Sequence, residues 1–91
     1  MEGERVSEDK IQQVIVILQS IVEDRGIPRN IRRAASEAIK LLESKSYTPA
    51  VRAANALSIL DECAQDTNMP LFARTKIWRA VTYLEQIRDL M

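Results

Sequence analysis

The sequence predicts an all-α fold, a four-helix up-and-down bundle made of two similar helical hairpins. Three observations favour it: evenly spaced prolines, a helical apolar periodicity between them, and a partial internal repeat. Pro28, Pro49 and Pro70 stand 21 residues apart. Proline suits a helix start, because its missing N–H would have no partner there and its φ is already helical. Each proline is therefore expected to mark the beginning of a helix.

The predicted helices lie near residues 8–25, 28–45, 49–66 and 70–90. Ser7 is a suitable N-cap for the first helix, because its hydroxyl can accept a backbone N–H and two carboxylates follow it at the positive end of the helix dipole. Thr48 is expected to cap the third helix in the same way. The chain is thus predicted to be one domain over residues 1–91, in which residues 1–6 form a flexible N-terminal tail.

Two of the three connections, residues 24–28 and 66–70, have similar sequences. Gly26 and Asn68 are predicted to end the preceding helices with a positive φ, which these two residue types tolerate. The apolar residue after each of them is expected to fold back on the preceding helix, as in a Schellman ending.

Each predicted helix carries one stripe of apolar residues at the i, i+3, i+4, i+7 spacing of a single buried face. The abundant alanines in these stripes favour close approach of the helices. The predicted core consists of Ile11, Val14, Ile15, Leu18, Ile21, Val22, Ile31, Ala34, Ala35, Ala38, Leu41, Leu42, Ala53, Ala56, Leu57, Leu60, Cys63, Ala64, Ala73, Ile77, Ala80, Val81, Leu84 and Ile87.

Residues 17–43 and 59–85 share eight identities in twenty-seven positions at an offset of 42, where chance would give about two. This similarity indicates a duplicated helical hairpin. Short loops make consecutive helices antiparallel neighbours, which favours a closed bundle. The alternative is two stacked HEAT-like helical pairs, since a 42-residue period lies in the range of such repeats. Two repeats without caps would leave apolar surface exposed, so the bundle is favoured.

The composition argues against several classes of mechanism. Thirteen basic and thirteen acidic residues leave no net charge to attract nucleic acid or anionic membranes. Histidine, the most common general base and metal ligand, is absent. Cys63 lies on a predicted core stripe, where a thiol has little thiolate character, and no apolar run approaches the ~20 residues that span a bilayer. We therefore expect a cytoplasmic protein that is not an enzyme and holds no cofactor or metal.

The favoured function is a helical protein-interaction module that can associate with itself. Val16 is predicted nearly opposite the core stripe of the first helix and Ile17 on its flank. Exposed apolar surface of this kind often marks an interface, so these two residues are the candidate oligomer contact.

The alternative is an accessory RNA- or ribosome-binding protein, because aromatic rings stack unpaired bases while cations neutralise phosphates. A second stripe of the fourth helix, predicted away from its core face, supplies such residues, although Phe72 and Tyr83 packing against a loop or a second subunit is the favoured interpretation. The candidate nucleic-acid or anion contacts are Arg29, Arg32, Arg33, Phe72, Lys76, Arg79 and Tyr83.

Arg25 joins three of these arginines around the start of the second helix, where each positive charge opposes the helix dipole by ~0.3–1 kcal/mol. Either a bound anion or nearby carboxylates could compensate this charge, and internal salt bridges are the favoured interpretation. The carboxylates expected nearby are Glu23, Asp24, Asp61, Glu62 and Asp66.

Three segments carry a resemblance to a known family. They are residues 24–35, Asp-Arg-Gly-Ile-Pro-Arg-Asn-Ile-Arg-Arg-Ala-Ala; residues 48–54, with Thr-Pro followed by Val-Arg-Ala-Ala; and residues 68–70, Asn-Met-Pro. With them, nearly the whole chain resembles the short archaeal proteins of uncharacterised protein family one hundred and forty-seven. The resemblance implies a four-helix bundle from an archaeal cytoplasm. It implies no activity and transfers no functional residues.

Overall fold

Four α-helices and the turns between them make up the described chain. The structure is a computed structural model that describes the backbone of residues 2–89 and the side chains of residues 5–89. The helices are α1 (Glu2–Val22), α2 (Arg29–Glu43), α3 (Pro49–Cys63) and α4 (Leu71–Asp89). No strand occurs within residues 2–89. The predicted all-α class is confirmed.

The four helices close into a ring. α1 packs against α2 and α4, α3 packs against the same two helices, and α1 also approaches α3 across the centre. Within the described residues, α2 and α4 do not approach each other. Stacked HEAT-like pairs would place equivalent helices of successive pairs side by side, α2 against α4. The up-and-down bundle is therefore the correct architecture, in a molecule of 40 × 19 × 17 Å.

One hydrophobic core runs along the axis of the bundle. α1 contributes bulky aliphatic side chains, whereas the other three helices contribute most of the buried alanines, which allow close helix approach. Every predicted core residue is buried or half-buried, and the half-buried ones lie at the edges of the stripes. The fully buried alanines are Ala35, Ala38, Ala53, Ala56, Ala73 and Ala80.

The start of α1 differs from the prediction. The helix already includes residues 2–6, which were expected to be a flexible tail, and Met1 lies outside the described residues. Ser7 is not an N-cap but a buried residue inside the helix, and Glu8 in the same turn is bonded to Arg52 and Lys45. This turn is held against the bundle and acts as a helix nucleus. The residues before it can therefore extend the helix, each adding a hydrogen bond without a new nucleation cost.

The two similar connections reverse the chain without a left-handed residue. No residue in the range 2–89 has a positive φ, so the predicted conformation of Gly26 and Asn68 is wrong. Instead, Asp24 Oδ1 accepts a hydrogen bond from Gly26 N at 2.8 Å, and Asp66 Oδ1 accepts one from Asn68 N at 2.8 Å. Aspartate makes such a turn with its own side chain. The apolar residues that follow, Ile27 and Met69, are buried, but without a left-handed residue the predicted Schellman ending does not form.

The prolines mark the helix starts, as predicted. Pro28 and Pro70 come directly before α2 and α4, and Pro49 is the first residue of α3. Thr48 caps α3 with its side chain, which accepts a hydrogen bond from Val51 N at 3.3 Å. This cap satisfies one of the N–H groups that a helix start leaves unpaired.

An arginine follows each of these starts at the same distance. Arg32, Arg52 and Arg74 lie four residues after Pro28, Thr48 and Pro70 respectively. Each guanidinium turns back and donates to backbone carbonyls of the connection or of the helix end before it. The acceptors, at 2.8–3.0 Å, are Ile27 for the first arginine, Tyr47 and Leu42 for the second, and Ala64 and Asp66 for the third.

The last carbonyls of a helix have no partner inside that helix, and Arg52 and Arg74 satisfy such carbonyls at the ends of α2 and α3. A cation near the C-terminal end also interacts favourably with the helix dipole. Arg52 is the most deeply placed of the three, with 4% of its surface exposed. It donates to the end of α2, to the α2–α3 connection and to Glu8 of α1, and so joins three parts of the bundle.

We predict that Arg52→Ala lowers the free energy of unfolding by about 3 kcal/mol, because it leaves two carbonyls without this donor and removes one of the two cations bonded to Glu8. Urea denaturation followed by circular dichroism measures this loss. Arg33→Ala is the matched control: it removes an exposed arginine of α2 and is expected to change the stability by less than about 0.5 kcal/mol. Equal effects of the two substitutions would contradict the role given to Arg52.

A second prediction concerns Gly26, whose negative φ needs no glycine. An added Cβ would lie 3.1 Å from Asp24 Oδ1 and 4.0 Å from Phe72 Cζ, so a small local adjustment offsets the entropic advantage of alanine. Gly26→Ala is therefore expected to change the thermal stability by less than about 0.5 kcal/mol. A loss well above 1 kcal/mol would indicate the left-handed conformation after all.

Candidate functional site

The most strongly bonded charged cluster lies at the end of the bundle that holds the α2–α3 connection. Glu8 accepts hydrogen bonds from Arg52 Nη2 and, at 3.3 Å, from Lys45 Nζ. A shallow cavity of about 380 Å³ lies beside the cluster. Burial raises the pKa of Glu8, but the hydrogen bonds from Arg52 and Lys45 outweigh it and leave the pKa below the ordinary value. The cluster thus holds an ionised carboxylate between two cations.

A groove of about 420 Å³ lies between α2 and α3 near the opposite end. Cys63 lines it and is half-buried. Burial raises the pKa of this thiol, the Asp66 carboxylate raises it further, and Arg74 lowers it only in part. Since the thiolate is the nucleophilic form, the groove disfavours nucleophilic chemistry at this residue. The other lining residues are Asn30, Arg33, Ala34, Glu37, Ile59, Glu62 and Asp66.

The two Asp turns meet at this same end. Asn30 Nδ2 donates to Asp66 Oδ2, a hydrogen bond that joins the start of α2 to the α3–α4 connection. Hydrogen bonds from the Asn68 backbone and from the Asn30 side chain hold the pKa of Asp66 below its ordinary value. Both oxygens of this carboxylate are therefore occupied by neutral donors.

The predicted internal salt bridges of the basic cluster do not form. Arg32 points inward and donates to the Ile27 carbonyl, while Arg25, Arg29 and Arg33 are exposed. No ion pair within 4.0 Å joins these four arginines to a carboxylate among the described side chains. Two of the expected carboxylates, Asp24 and Asp66, instead accept hydrogen bonds from backbone N–H groups or from Asn30. Anion binding by the exposed arginines stays a prediction.

The predicted second stripe of α4 runs along α1 and does not face away from the core. Its helical position is about a quarter turn from the core stripe. Phe72 lies close to Gly26 in the α1–α2 connection, and Lys10 Nζ of α1 donates to Gln86 Oε1 of α4 at 2.8 Å on the same flank. Tyr83 packs against the core. The aromatic rings of this stripe are thus partly engaged in the fold.

The candidate nucleic-acid contacts divide between two helices. Arg29, Arg32 and Arg33 belong to α2, whereas Phe72, Lys76, Arg79 and Tyr83 belong to α4. Because these helices lie on opposite corners of the ring, the structure does not bring the whole set onto one face. Contact of these residues with RNA stays a prediction.

The two residues of the candidate oligomer contact, Val16 and Ile17, face different directions. Ile17 is half-buried and packs against the core, whereas Val16 is 64% exposed. Successive helical residues point about 100° apart, so the two cannot share one face. One turn away from Val16, the exposed positions are the glutamines 12, 13 and 19. Val16 is therefore an isolated apolar residue rather than part of a patch.

The apolar outer face of α4 was not predicted from the sequence. Leu71 is 73% exposed and Trp78 is 54% exposed. Between and after them, the hydroxyls of Thr75 and Thr82 donate to the Leu71 and Trp78 carbonyls at 3.0 and 2.9 Å. The hydroxyls are satisfied within the helix. We refer to Leu71, Thr75, Trp78 and Thr82 as the outer face of α4; their spacing of i, i+4, i+7, i+11, opposite the core stripe, was the signal in the sequence.

A depression of about 380 Å³ accompanies this outer face. Its lining residues are Thr75, Trp78, Arg79, Thr82 and Tyr83. All five residues belong to α4. An aromatic or aliphatic side chain of a partner would find apolar contacts there.

The described residues form neither a cluster of metal ligands nor a membrane-spanning helix. Within this part of the chain, no three Cys, Asp or Glu side chains converge as a metal site would require. None of the helices as described is long and apolar enough to span a bilayer.

Comparison with known proteins gives a consistent result. A family model described as an uncharacterised protein family, UPF0147, matches residues 1–87. A UPF0147 protein of Desulfurococcus amylolyticus is 54% identical over 91 residues, which is 98% of this chain and all of the relative. A UPF0147 protein of Metallosphaera sedula is 59% identical over 83 residues, 91% of this chain and 93% of the relative.

Two solved structures have the same fold. The crystal structure of a UPF0147 protein from Thermoplasma acidophilum matches with a TM-score of 0.85 at 30% identity, covering 91% of this chain and 98% of that one. The crystal structure of a protein of unknown function matches with a TM-score of 0.82 at 43% identity, covering 85% and 88% respectively.

The lowered pKa of Glu8 predicts a pH dependence of stability. The ion pair contributes fully above the ordinary carboxyl pKa of 4.5, and its contribution is lost as the pH falls through the lower folded pKa. We expect the unfolding free energy to fall below about pH 4.5, and the fall to be shallower in Glu8→Gln. Denaturant titrations at a series of pH values test this. Asp9→Asn, on the same helix but exposed, should keep the wild-type slope; if Glu8→Gln keeps it too, the prediction is wrong.

Proposed function

The chain belongs to the archaeal protein family UPF0147, as its turn sequences predicted, and we propose that it acts in the cytoplasm as a helical protein-interaction module. The family is described as uncharacterised, so the proposal rests on the surface of this chain. The single observation that carries it is the exposed indole of Trp78 on the outer face of α4.

The exposure of Trp78 is informative because α4 needs no second apolar face to fold. Its opposite side already fills the core with Ala73, Ile77 and Ala80. Tryptophan is enriched at protein interfaces and is frequently an energetic hot spot there. Exposed apolar groups that gather on one surface, unlike scattered ones, commonly mark a binding site. Trp78, Leu71 and the two threonine side chains form such a surface.

The charged groups of the chain support binding over catalysis. Glu8, Arg52 and Lys45 are bonded to one another and join α1 to the α2–α3 connection. The two carboxylate oxygens of Asp66 accept hydrogen bonds from the Asn30 side chain and the Asn68 backbone. The roles of these groups are thus explained by the fold, and the raised pKa of Cys63 disfavours a nucleophilic role.

The proposal is tested by site-specific photo-crosslinking in cells of the native archaeon. A benzoylphenylalanine replaces Trp78 in one variant and Gln12 in a control variant, since Gln12 is exposed on α1 away from the outer face of α4. We expect adducts at position 78 that proteases remove and nucleases leave intact, and no such adducts at position 12. Denatured adducts are then separated by mass.

Three outcomes would overturn the proposal. Nuclease-sensitive adducts at position 78 would favour the RNA-binding alternative. Adducts of equal yield at both positions would show unspecific capture. The absence of any adduct at position 78 would remove the outer face of α4 as a binding surface.

A further inference from the structure

We infer that the flank of α4 that lies along α1 binds an acidic segment of the protein partner. This inference rests on the proposed function and deepens it, because it states the chemistry of that partner. It concerns the flank beside the outer face of α4 and the depression between the two. We refer to Lys10, Phe72, Lys76 and Arg79 as the basic flank.

The first observation is a segregation of charge within a chain that has no net charge. Residues 10–22 of α1 and residues 71–84 of α4 contain no aspartate or glutamate. An even distribution of the thirteen acidic residues would place about four of them in these two segments. The two segments lie side by side, because α1 and α4 pack against each other. The basic flank therefore belongs to a part of the surface whose charged groups are all cations.

The second observation is that these cations have no partner of opposite charge. Lys10 of α1 donates to the neutral side chain of Gln86 at 2.8 Å. Arg79 lies about two helical turns before Gln86 and therefore on the same side of α4. Among the ion pairs of the described side chains, none includes Lys10, Lys76 or Arg79. Glu85 comes nine residues after Lys76, about two and a half turns, so it points to the opposite flank.

The depression beside the basic flank favours a protein segment over a nucleic acid. Its lining residues are Thr75, Trp78, Arg79, Thr82 and Tyr83. Both threonine hydroxyls donate to carbonyls of α4, so they do not donate to the polar edge of a nucleobase. A buried polar edge without partners costs free energy, whereas an aliphatic or aromatic side chain has none to satisfy. The depression is therefore better suited to an apolar side chain.

An acidic segment that also carries apolar residues matches both features. Lys76 and Arg79 lie about 4.5 Å apart along the helix axis, so neighbouring carboxylates of one segment can reach both. An arginine offers a carboxylate two parallel hydrogen bonds. Exposed ion pairs contribute little each and weaken in salt. We therefore expect a short segment by itself to bind with a dissociation constant of about 0.1–1 mM.

The first test is a titration of the purified full-length chain with a synthetic peptide of repeated Glu-Glu-Leu units, followed by the NMR chemical shifts of the backbone amides. The largest changes should lie in α4 and the adjacent side of α1. Arg79→Glu should raise the dissociation constant at least tenfold, whereas Arg79→Lys should change it by less than about threefold. Circular dichroism verifies that all variants are folded.

Arg33→Glu is the matched control for this titration. It makes the same charge change at an exposed arginine of α2, which lines the groove between α2 and α3 together with Glu37 and Glu62. The dissociation constant should stay within about twofold of the wild-type value. Binding should weaken as salt rises, and a peptide of repeated Lys-Lys-Leu units should not bind.

Four results of the titration would overturn the inference. They are a Glu-Glu-Leu peptide that does not bind, shifts centred on another face, equal effects of Arg79→Glu and Arg33→Glu, and tighter binding of a single-stranded oligouridine that Arg79→Glu abolishes. The last result would assign the basic flank to a nucleic acid.

The second test identifies the segment that meets the basic flank in cells of the native archaeon. A benzoylphenylalanine replaces Phe72, which is 48% exposed, and mass spectrometry locates the crosslinked segment of the partner. We expect a segment rich in aspartate and glutamate. A neutral or basic segment, or protein adducts at position 78 without any at position 72, would overturn the inference and leave the proposed interaction function in place. The absence of adducts at position 78 would instead remove the proposed function.

Discussion

The arrangement of the bundle depends on three guanidinium groups that reach back to the preceding connection. Each helix end leaves carbonyls without partners, and short turns cannot supply enough N–H groups to satisfy them. Arg52 and Arg74 supply such donors to the ends of α2 and α3, and Arg32 donates to the Ile27 carbonyl in the α1–α2 connection. In each case a side chain from the first turn of a helix is bonded to the backbone that precedes that helix.

The contacts between the hairpins support the internal repeat. Asn30 of the first hairpin bonds Asp66 in the connection of the second. At the offset of 42, the equivalent residues are Phe72 and Asp24, and Phe72 indeed lies beside Gly26 in that connection. Each hairpin thus touches the turn of the other with the same position. Such reciprocity is typical of two units related by a two-fold axis and differs from the translation that stacks HEAT repeats.

The faces of α4 have three different environments. One face fills the core, a flank with Phe72 and Tyr83 lies along α1, and the remaining face exposes Leu71 and Trp78. The four α4 residues among the candidates for RNA contact fall on the middle flank, where Phe72 and Arg79 are exposed and Lys76 and Tyr83 are half-buried. The proposed interface instead uses the face that the fold leaves uncovered.

Proline geometry and the 3.6-residue period act locally, so the sequence alone was enough to predict the helical class, the starts of α2, α3 and α4, and the core stripes. Gly26 and Asn68 were misassigned, since an Asp side chain can close a turn without a positive φ and the choice depends on the surroundings. The burial of Arg52, the inward packing of Ile17 and Tyr83, and the exposure of Trp78 were established only by the folded bundle. Such outcomes depend on which neighbouring helix covers each flank, and a one-dimensional pattern does not contain that information.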